Sequence, residues 1–190
     1  MTRLRSVTVI AAVLVGVAIP TVAVAGPASA ATPWQTLHGE FLDVVQDACG
    51  VPGLTLEMAT VADGRERFIS QGPDRIPYIQ SFVHETIVIT NVATGAYVTR
   101  VADYRSVDLK ITDIGDNTWL VVGQMPARNV IYDQDGRVIA HGAGLFRFEE
   151  LWDNGGTPTD PSDDFQIESL SFKFVGNPLD RCPAIIQAIG

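Results

Sequence analysis

The chain lacks the strong signatures of catalysis. It has no G-x-S-x-G elbow, no H-E-x-x-H pair and no glycine-rich loop placed between a strand and a helix. Serine-nucleophile, helix-borne zinc and phosphate-cradling chemistry therefore have no usual seat. Its three histidines, His38, His84 and His141, lie far apart; such isolated residues do not predict a metal triad. Cysteine is as scarce, with Cys49 and Cys182 alone, which excludes a CxxC redox centre and a disulfide-dense scaffold. Lysine is limited to Lys110 and Lys173. Arg in preference to Lys, with abundant Ala, Gly and Val, points to a high-GC coding sequence and a bacterial origin.

Positive charge is also short. Arg3 and Arg5 are the only charged residues of the first thirty, so the remainder carries 13 − 2 basic against 22 acidic residues, a formal −11. Such a balance repels nucleic acid and anionic lipid, and neither is expected as a partner. Solubility outside the cell accounts for it.

The first thirty residues carry an export signal. Arg3 and Arg5 form a positive n-region, Val7 to Val15 an apolar h-region, and Ala28-Ser29-Ala30 an A-x-A cleavage site before Ala31. Pro20, Gly26 and Pro27 interrupt the run, and no positive flank follows to stop it in a membrane of roughly 30 Å hydrocarbon thickness. The expected organisation is a signal peptide, 1–30, and one secreted domain, 31–190, with no membrane attachment after cleavage.

In an oxidising compartment Cys49 and Cys182 are expected to pair. The bond closes a loop of 134 residues, counted from 49 to 182 inclusive, and restricts the unfolded chain by up to about 5 kcal/mol in the entropic model. It also requires the two ends of the domain to meet, with Cα atoms roughly 5.5 Å apart.

Between the cysteines the hydrophobic period is two. In Val107–Thr112, Val107, Leu109 and Ile111 share one face while Asp108, Lys110 and Thr112 share the other. Similar segments recur at 54–58, 67–71, 78–83, 85–90, 97–101, 118–123, 129–132, 137–140, 145–151 and 169–174. Asn91–Gly95, Gly115–Asn117 and Asp133–Gly136 supply Gly, Asn or Asp where hairpins need positive φ. The pattern predicts an all-β antiparallel meander of about 8–10 short strands, curled into a closed or nearly closed β-barrel, with a β-sandwich as the alternative. Trp34–Ala48 suits either a helix or an extended segment, and Pro183–Gly190 a short helix or a strap.

The acidic loop from Asp153 to Asp164 is broken by Gly and Pro and belongs on the surface. Asp153, Asn154, Asp160, Asp163 and Asp164 offer the oxygen ligands that calcium prefers. Their spacing does not match an EF-hand, and the second acidic turn, Asp133–Gly136, is followed by Arg137, which cannot ligate a cation. Strand parity supplies a further expectation: Glu85 shares a face with Ile87 and Ile89, Glu150 with Phe146 and Phe148, and His141 with Ile139. At the mouth of a barrel these three would hold a small ligand or perform acid–base chemistry; as strand ends they would simply reach water.

Several local patterns run together: Asp47-Ala-Cys49-Gly50-Val-Pro52, His84-Glu85-Thr86, Thr90-Asn91-x-x-Thr94-Gly95, Ile131-Tyr132-Asp133-x-Asp135-Gly136 and Asp180-x-Cys182-Pro183. In these the chain resembles exported, β-barrel-like proteins of high-GC Gram-positive bacteria for which no activity is known. The resemblance implies fold, through turn and disulfide chemistry, and supplies no catalytic residues.

Two functions follow as expectations. One is a non-enzymatic secreted β-barrel that binds a small apolar ligand or presents its loops to another extracellular protein. The alternative is a barrel-mouth isomerase or cyclase using Glu85, Glu150 and His141.

Overall fold

The computed structural model describes residues 31–190. The expected n-region, h-region and the cleavage residues Ala28 and Ala30 lie outside the described residues. Ala31 is the first described, bridged to Ile69, and the next residue's amide donates to Phe68 O at 2.9 Å.

Seven antiparallel strands form one sheet in sequence order: β1 (Gln35–Val45), β2 (Leu56–Gln71), β3 (Ile76–Asn91), β4 (Tyr97–Gly115), β5 (Thr118–Tyr132), β6 (Val138–Asp153) and β7 (Phe165–Asn177). The expected all-β meander is therefore present, and within Trp34–Ala48 residues Gln35–Val45 form a strand rather than a helix, with a single 3-10 turn beginning at Ala48. No ladder among the described residues joins β1 to β7, so the sheet is not closed. The strand number is seven because the short segments join in pairs. Segments 54–58 and 67–71 belong to β2, 78–83 and 85–90 to β3, 97–101 and 107–112 to β4, and β5 and β6 are likewise each built from two.

The breaks between those segments are sites where the sheet needs small or unusual residues. Gly123 accommodates the ring of Phe148, and Gly144 that of Phe174; a Cβ at either position would collide with the ring. Pro126 cannot donate to a ladder, and β4–β5 pairing skips from Tyr104↔Ala127 to Val107↔Gln124 around it. Next to that gap β4 bulges between Asp108 and Lys110. On the other side of β4 the pairing with β3 ends at Gln80↔Val107, and just beyond it the Asp108 carboxylate accepts Ile79 N–H at 2.8 Å. Burial pushes this carboxyl up to about 6, opposed by the Ile79 bond and reinforced by the charge of Glu150.

The hairpins use the expected turn chemistry. Asp116 and Asn117 have φ of 52° and 58°, both left-handed, as a two-residue turn between β4 and β5 requires. Asp47 and Cys49 are also left-handed, and Asp47 Oδ1 accepts the amide of Gly53.

One face of the sheet, here the inner face, carries the main core. Leu56, Ile87, Ile89, Val98 and Ile131 meet there, and helix α1 (Arg181–Ile189) covers them with Ile185 and Ile189. Asn91 Nδ2 donates to Ile189 O at 2.7 Å, fastening the end of the helix. Cys49 and Cys182 are bonded, with Cα atoms 5.5 Å apart, which anchors its beginning. A second cluster, Ile111, Trp119 and Val121 with Trp152 packed against it, lies toward the other ends of the strands.

Candidate ligand-binding site

Between the two clusters the inner face turns polar. On β4, Arg100 and Tyr104 alternate with Val98 and Ala102, and therefore point inward with the core. Opposite them the registers Glu85↔Ala102 and Ala102↔Asn129 bring in one residue each from β3 and β5. Tyr104 donates its hydroxyl hydrogen to Glu85 Oε2 at 2.8 Å, and Arg100 Nη1 lies 3.5 Å from the same oxygen. Arg100 also donates from Nε to Asn129 Oδ1 at 2.9 Å and from Nη2 to the Tyr104 oxygen at 2.6 Å. The side chains of Arg100 and Glu85 are only 14% and 21% exposed. Burial pushes the Tyr104 hydroxyl up to about 12, with Arg100 pulling the other way and Glu85 adding to the rise. Every polar group in this network has a partner, so it forms a fixed wall rather than a poised acid or base.

That wall borders an open cavity of about 360 Å³. Phe146, Phe174 and Leu179 are its apolar sides, Gly142 and Gly144 part of its floor, and Arg100, Asn129 and Arg181 its polar groups. Arg181, the first residue of α1, has no carboxylate within ion-pair distance among the described residues. Its guanidinium is pulled below the usual range first by burial and then by the charge of Arg100, with Tyr104 opposing. Two guanidinium groups thus face one partly apolar space, and Glu85 is paired with Arg100 and not with Arg181.

A larger open cavity, about 440 Å³, lies between α1 and the 133–136 turn and is lined by Asp133, Asp135, Tyr97 and Gln187. Its acidic groups are already used: Asp133 Oδ1 accepts the amides of Asp135 and Arg137, and Asp135 pairs with Arg137 at 2.8 Å. The smaller cavity is the better binding candidate because two guanidinium groups meet an apolar wall there, and one of them, Arg181, has no carboxylate within ion-pair distance among the described residues.

The three expected site residues are not brought together. Glu85 does not line the cavity itself; it pairs with Arg100, which does. Glu150 shares the inner face, but it pairs with Val121, eight residues along β5 from Asn129, which is about 26 Å of strand. There its carboxylate accepts Trp152 Nε1–H at 3.0 Å. His141 pairs with Val130 on the opposite, outer face and is exposed. A bulge reverses the parity: Ile131 pairs with Ala140 and Tyr132 with Val138, leaving Ile139 unpaired, packed against the core while His141 turns outward.

The acidic loop uses its oxygens on itself. Asp153 accepts the amide of Gly155, Asp160 that of Ser162, and Asp163 the hydroxyl of Thr157 at 2.6 Å. Asn154, expected as a ligand, is 2% exposed and accepts the amide of Gly156. Among the described residues no group of three or more His, Cys, Asp or Glu is arranged to hold a metal ion. Asp164 Oδ1 is buried without a hydrogen-bond partner among the described residues. Its carboxyl is pushed up to about 7 by burial first, then by the charges of Asp163, Asp160 and Asp153.

Sequence reasoning missed Arg100, Tyr104, Asn129 and Arg181. The alternation of Val98 already places Arg100 on its face within 97–101, and extending it beyond Val101 reaches Tyr104. Comparison with protein-family models, with curated proteins and with solved structures gives no match. The described residues contain no helix long and apolar enough to cross a membrane, and this, with the disulfide, is compatible with an exported protein.

Proposed function

We propose that this chain is a secreted, non-enzymatic binding protein whose inner-face cavity takes a small amphipathic anion: a carboxylate or similar group on an apolar body. The observation that carries the reading is Arg181, placed with Arg100 in the lining of an apolar pocket and without a carboxylate of its own among the described residues. A ligand anion there would relieve both the repulsion between the guanidinium groups and the desolvation of Arg181. Phe146 and Phe174 offer the apolar body a surface, and about 360 Å³ is within the range of small-ligand sites. The disulfide at the neighbouring Cys182 fixes Arg181 in position, which lowers the cost of binding. An isomerase or cyclase would need Glu85, Glu150 and His141 around one cavity, and no observation favours it.

Displacement of the fluorescent anion 1-anilinonaphthalene-8-sulfonate tests the reading. Decanoate should displace it and decanol should not, and Arg181→Gln should weaken decanoate binding about tenfold, the loss of one charge-assisted contact of about 1.4 kcal/mol. Equal displacement by decanoate and decanol, or an unchanged Arg181→Gln, would refute it.

A further inference from the structure

On the outer face, strand register collects positive charge that the acidic composition conceals. Across the middle of the sheet one row of opposed residues runs His38, Asp63, His84, Asp103 and Arg128 on β1 to β5. The next row holds Arg65, Phe82 and Arg105 on β2 to β4. The third holds Arg67 on β2, and then Arg147 and Lys173 directly opposed on β6 and β7. Six of the eleven basic residues that follow residue 30 therefore lie in three adjacent rows. The only acids in these rows are Asp63 and Asp103, and each is bound to a histidine, at 2.7 Å from His38 Nδ1 and 2.8 Å from His84 Nδ1. The band spans seven strands, about 29 Å, and about 13 Å along them. The following row opposes Val61, Thr86, Val101 and Val130 from β2 to β5 and begins on β1 with Glu40, 3.5 Å from His38 Nε2.

Two details within the band point to an anionic occupant. Arg147 and Lys173, both exposed, face each other across the β6–β7 ladder with no ion pair among the described residues. Like charges directly opposed destabilise a sheet unless an anion lies between them. At the other end guanidinium groups alternate with rings: Arg67 is 4.5 Å and Arg65 4.8 Å from the centre of Trp34, while Arg65 and Arg105 are 5.3 Å and 5.2 Å from that of Phe82. Stacking orders these groups; Arg67 spends its Nε and Nη2 hydrogens on Gln80 Oε1, at 2.9 and 2.7 Å, while the exposed Arg65 and Arg105 have no side-chain hydrogen bond among the described residues and keep theirs for oxyanions.

We propose that this band binds a linear anionic polysaccharide, through carboxylate or sulfate groups along its length. A band about 29 Å long and only about 13 Å deep, flanked by the carboxylates of Glu40 on β1 and Glu149 on β6, fits a single extended chain better than the broad negative charge of a lipid surface. Single-stranded nucleic acid is recognised largely by base stacking on open rings. Here Trp34 and Phe82 are each contacted by two guanidinium groups, so neither offers an open platform. The net −11 of the domain further opposes a duplex of high charge density.

The test uses the disulfide-bonded chain and immobilised polygalacturonate, dextran sulfate and neutral dextran, with a single-stranded DNA oligonucleotide and phosphatidylglycerol vesicles as competing arms. The expected result in about 50 mM NaCl is retention on both anionic polysaccharides and none on dextran, with at least a tenfold loss of affinity at about 300 mM. Arg128→Gln combined with Arg147→Gln should weaken binding about tenfold. Both side chains are exposed and without ion pairs among the described residues, so the fold should persist by circular dichroism. Arg137→Gln, just after the 133–136 turn, should leave binding unchanged. Failure to bind either polysaccharide at low salt, equal binding by the double variant, or tighter binding to DNA or vesicles would overturn the proposal.

Discussion

Asp164 shows how one carboxyl becomes a pH sensor for the loop that contains it. With its pKa raised from about 3.9 in the unfolded chain to about 7, the folded state holds the proton more tightly. The resulting stabilisation is fully present below about pH 4 and is lost as pH rises through 7. Asp164→Asn retains a neutral side chain at every pH, so its thermal midpoint should exceed that of the parent by about 2–4 °C at pH 8 and match it at pH 4. A scanning-fluorimetry difference that does not change with pH would remove the assignment. Asp108, raised to about 6, gives a pH dependence of the same sign, and subtracting the parent curve separates the two. At this scale sequence revealed less than at any other. Glu85 was found by alternation, but Tyr104 stayed hidden because the strand was ended at Val101, three residues short of it, and Arg100, inside the segment and on the face of Val98, went unremarked because an arginine breaks that face's apolar pattern. His141 was assigned to the wrong face because a bulge at Ile139 cannot be read from residue types.

Among the elements, α1 depends most on contacts distant in sequence. Nine residues are too few for a stable helix in water; Ile185, Ile189, the Asn91 bond and the disulfide hold it. Replacing both cysteines by alanine should cost about 3–5 kcal/mol by denaturant unfolding, since the loop removed is long. If the helix then frays, Arg181 leaves the cavity and decanoate should lose at least tenfold in affinity, while retention on polygalacturonate stays unchanged because the outer band contains no part of α1. Simultaneous loss of both would show that the variant had unfolded as a whole. The pairing of Cys49 with Cys182 was legible because only two cysteines exist. The turns were legible too, since Asp116 and Asn117 are among the few residue types that tolerate left-handed φ. Strand lengths were not. Gly123, Pro126, Gly142 and Gly144 look like interruptions, whereas in the sheet they make room for Phe148, Phe174 and Leu179 or fall beside a ladder gap. A residue that breaks an isolated strand is tolerated where its neighbours fill the space it leaves.

For the whole molecule, local alternation predicts a meander but carries no information on whether its first and last strands meet. That depends on twist and bulges accumulated over seven strands, and here β1 and β7 remain unjoined. Their edges are unusually apolar: Leu42 and Val44 on β1 are 65% and 58% exposed, and Phe172 and Val175 on β7 are 59% and 63% exposed. Such edges favour pairing between molecules unless something opposes it. On β7 the charged opposition within the strand is limited to Glu168 and Lys173. The larger opposition is global, because two domains of −11 repel over a Debye length of about 10 Å at 0.1 M salt but only about 3 Å at 1 M. Light scattering should therefore report a monomer in dilute buffer and growing association near 1 M NaCl. Val175→Lys, on the outer side of β7, should suppress that association through local charge and leave the thermal midpoint within about 2 °C, as expected for an exposed position. If the parent chain stays monomeric at 1 M, long-range repulsion is not what protects the edges. The bulges at Ile167 and Leu170, which twist β7 away from a flat partner, would then be sufficient on their own.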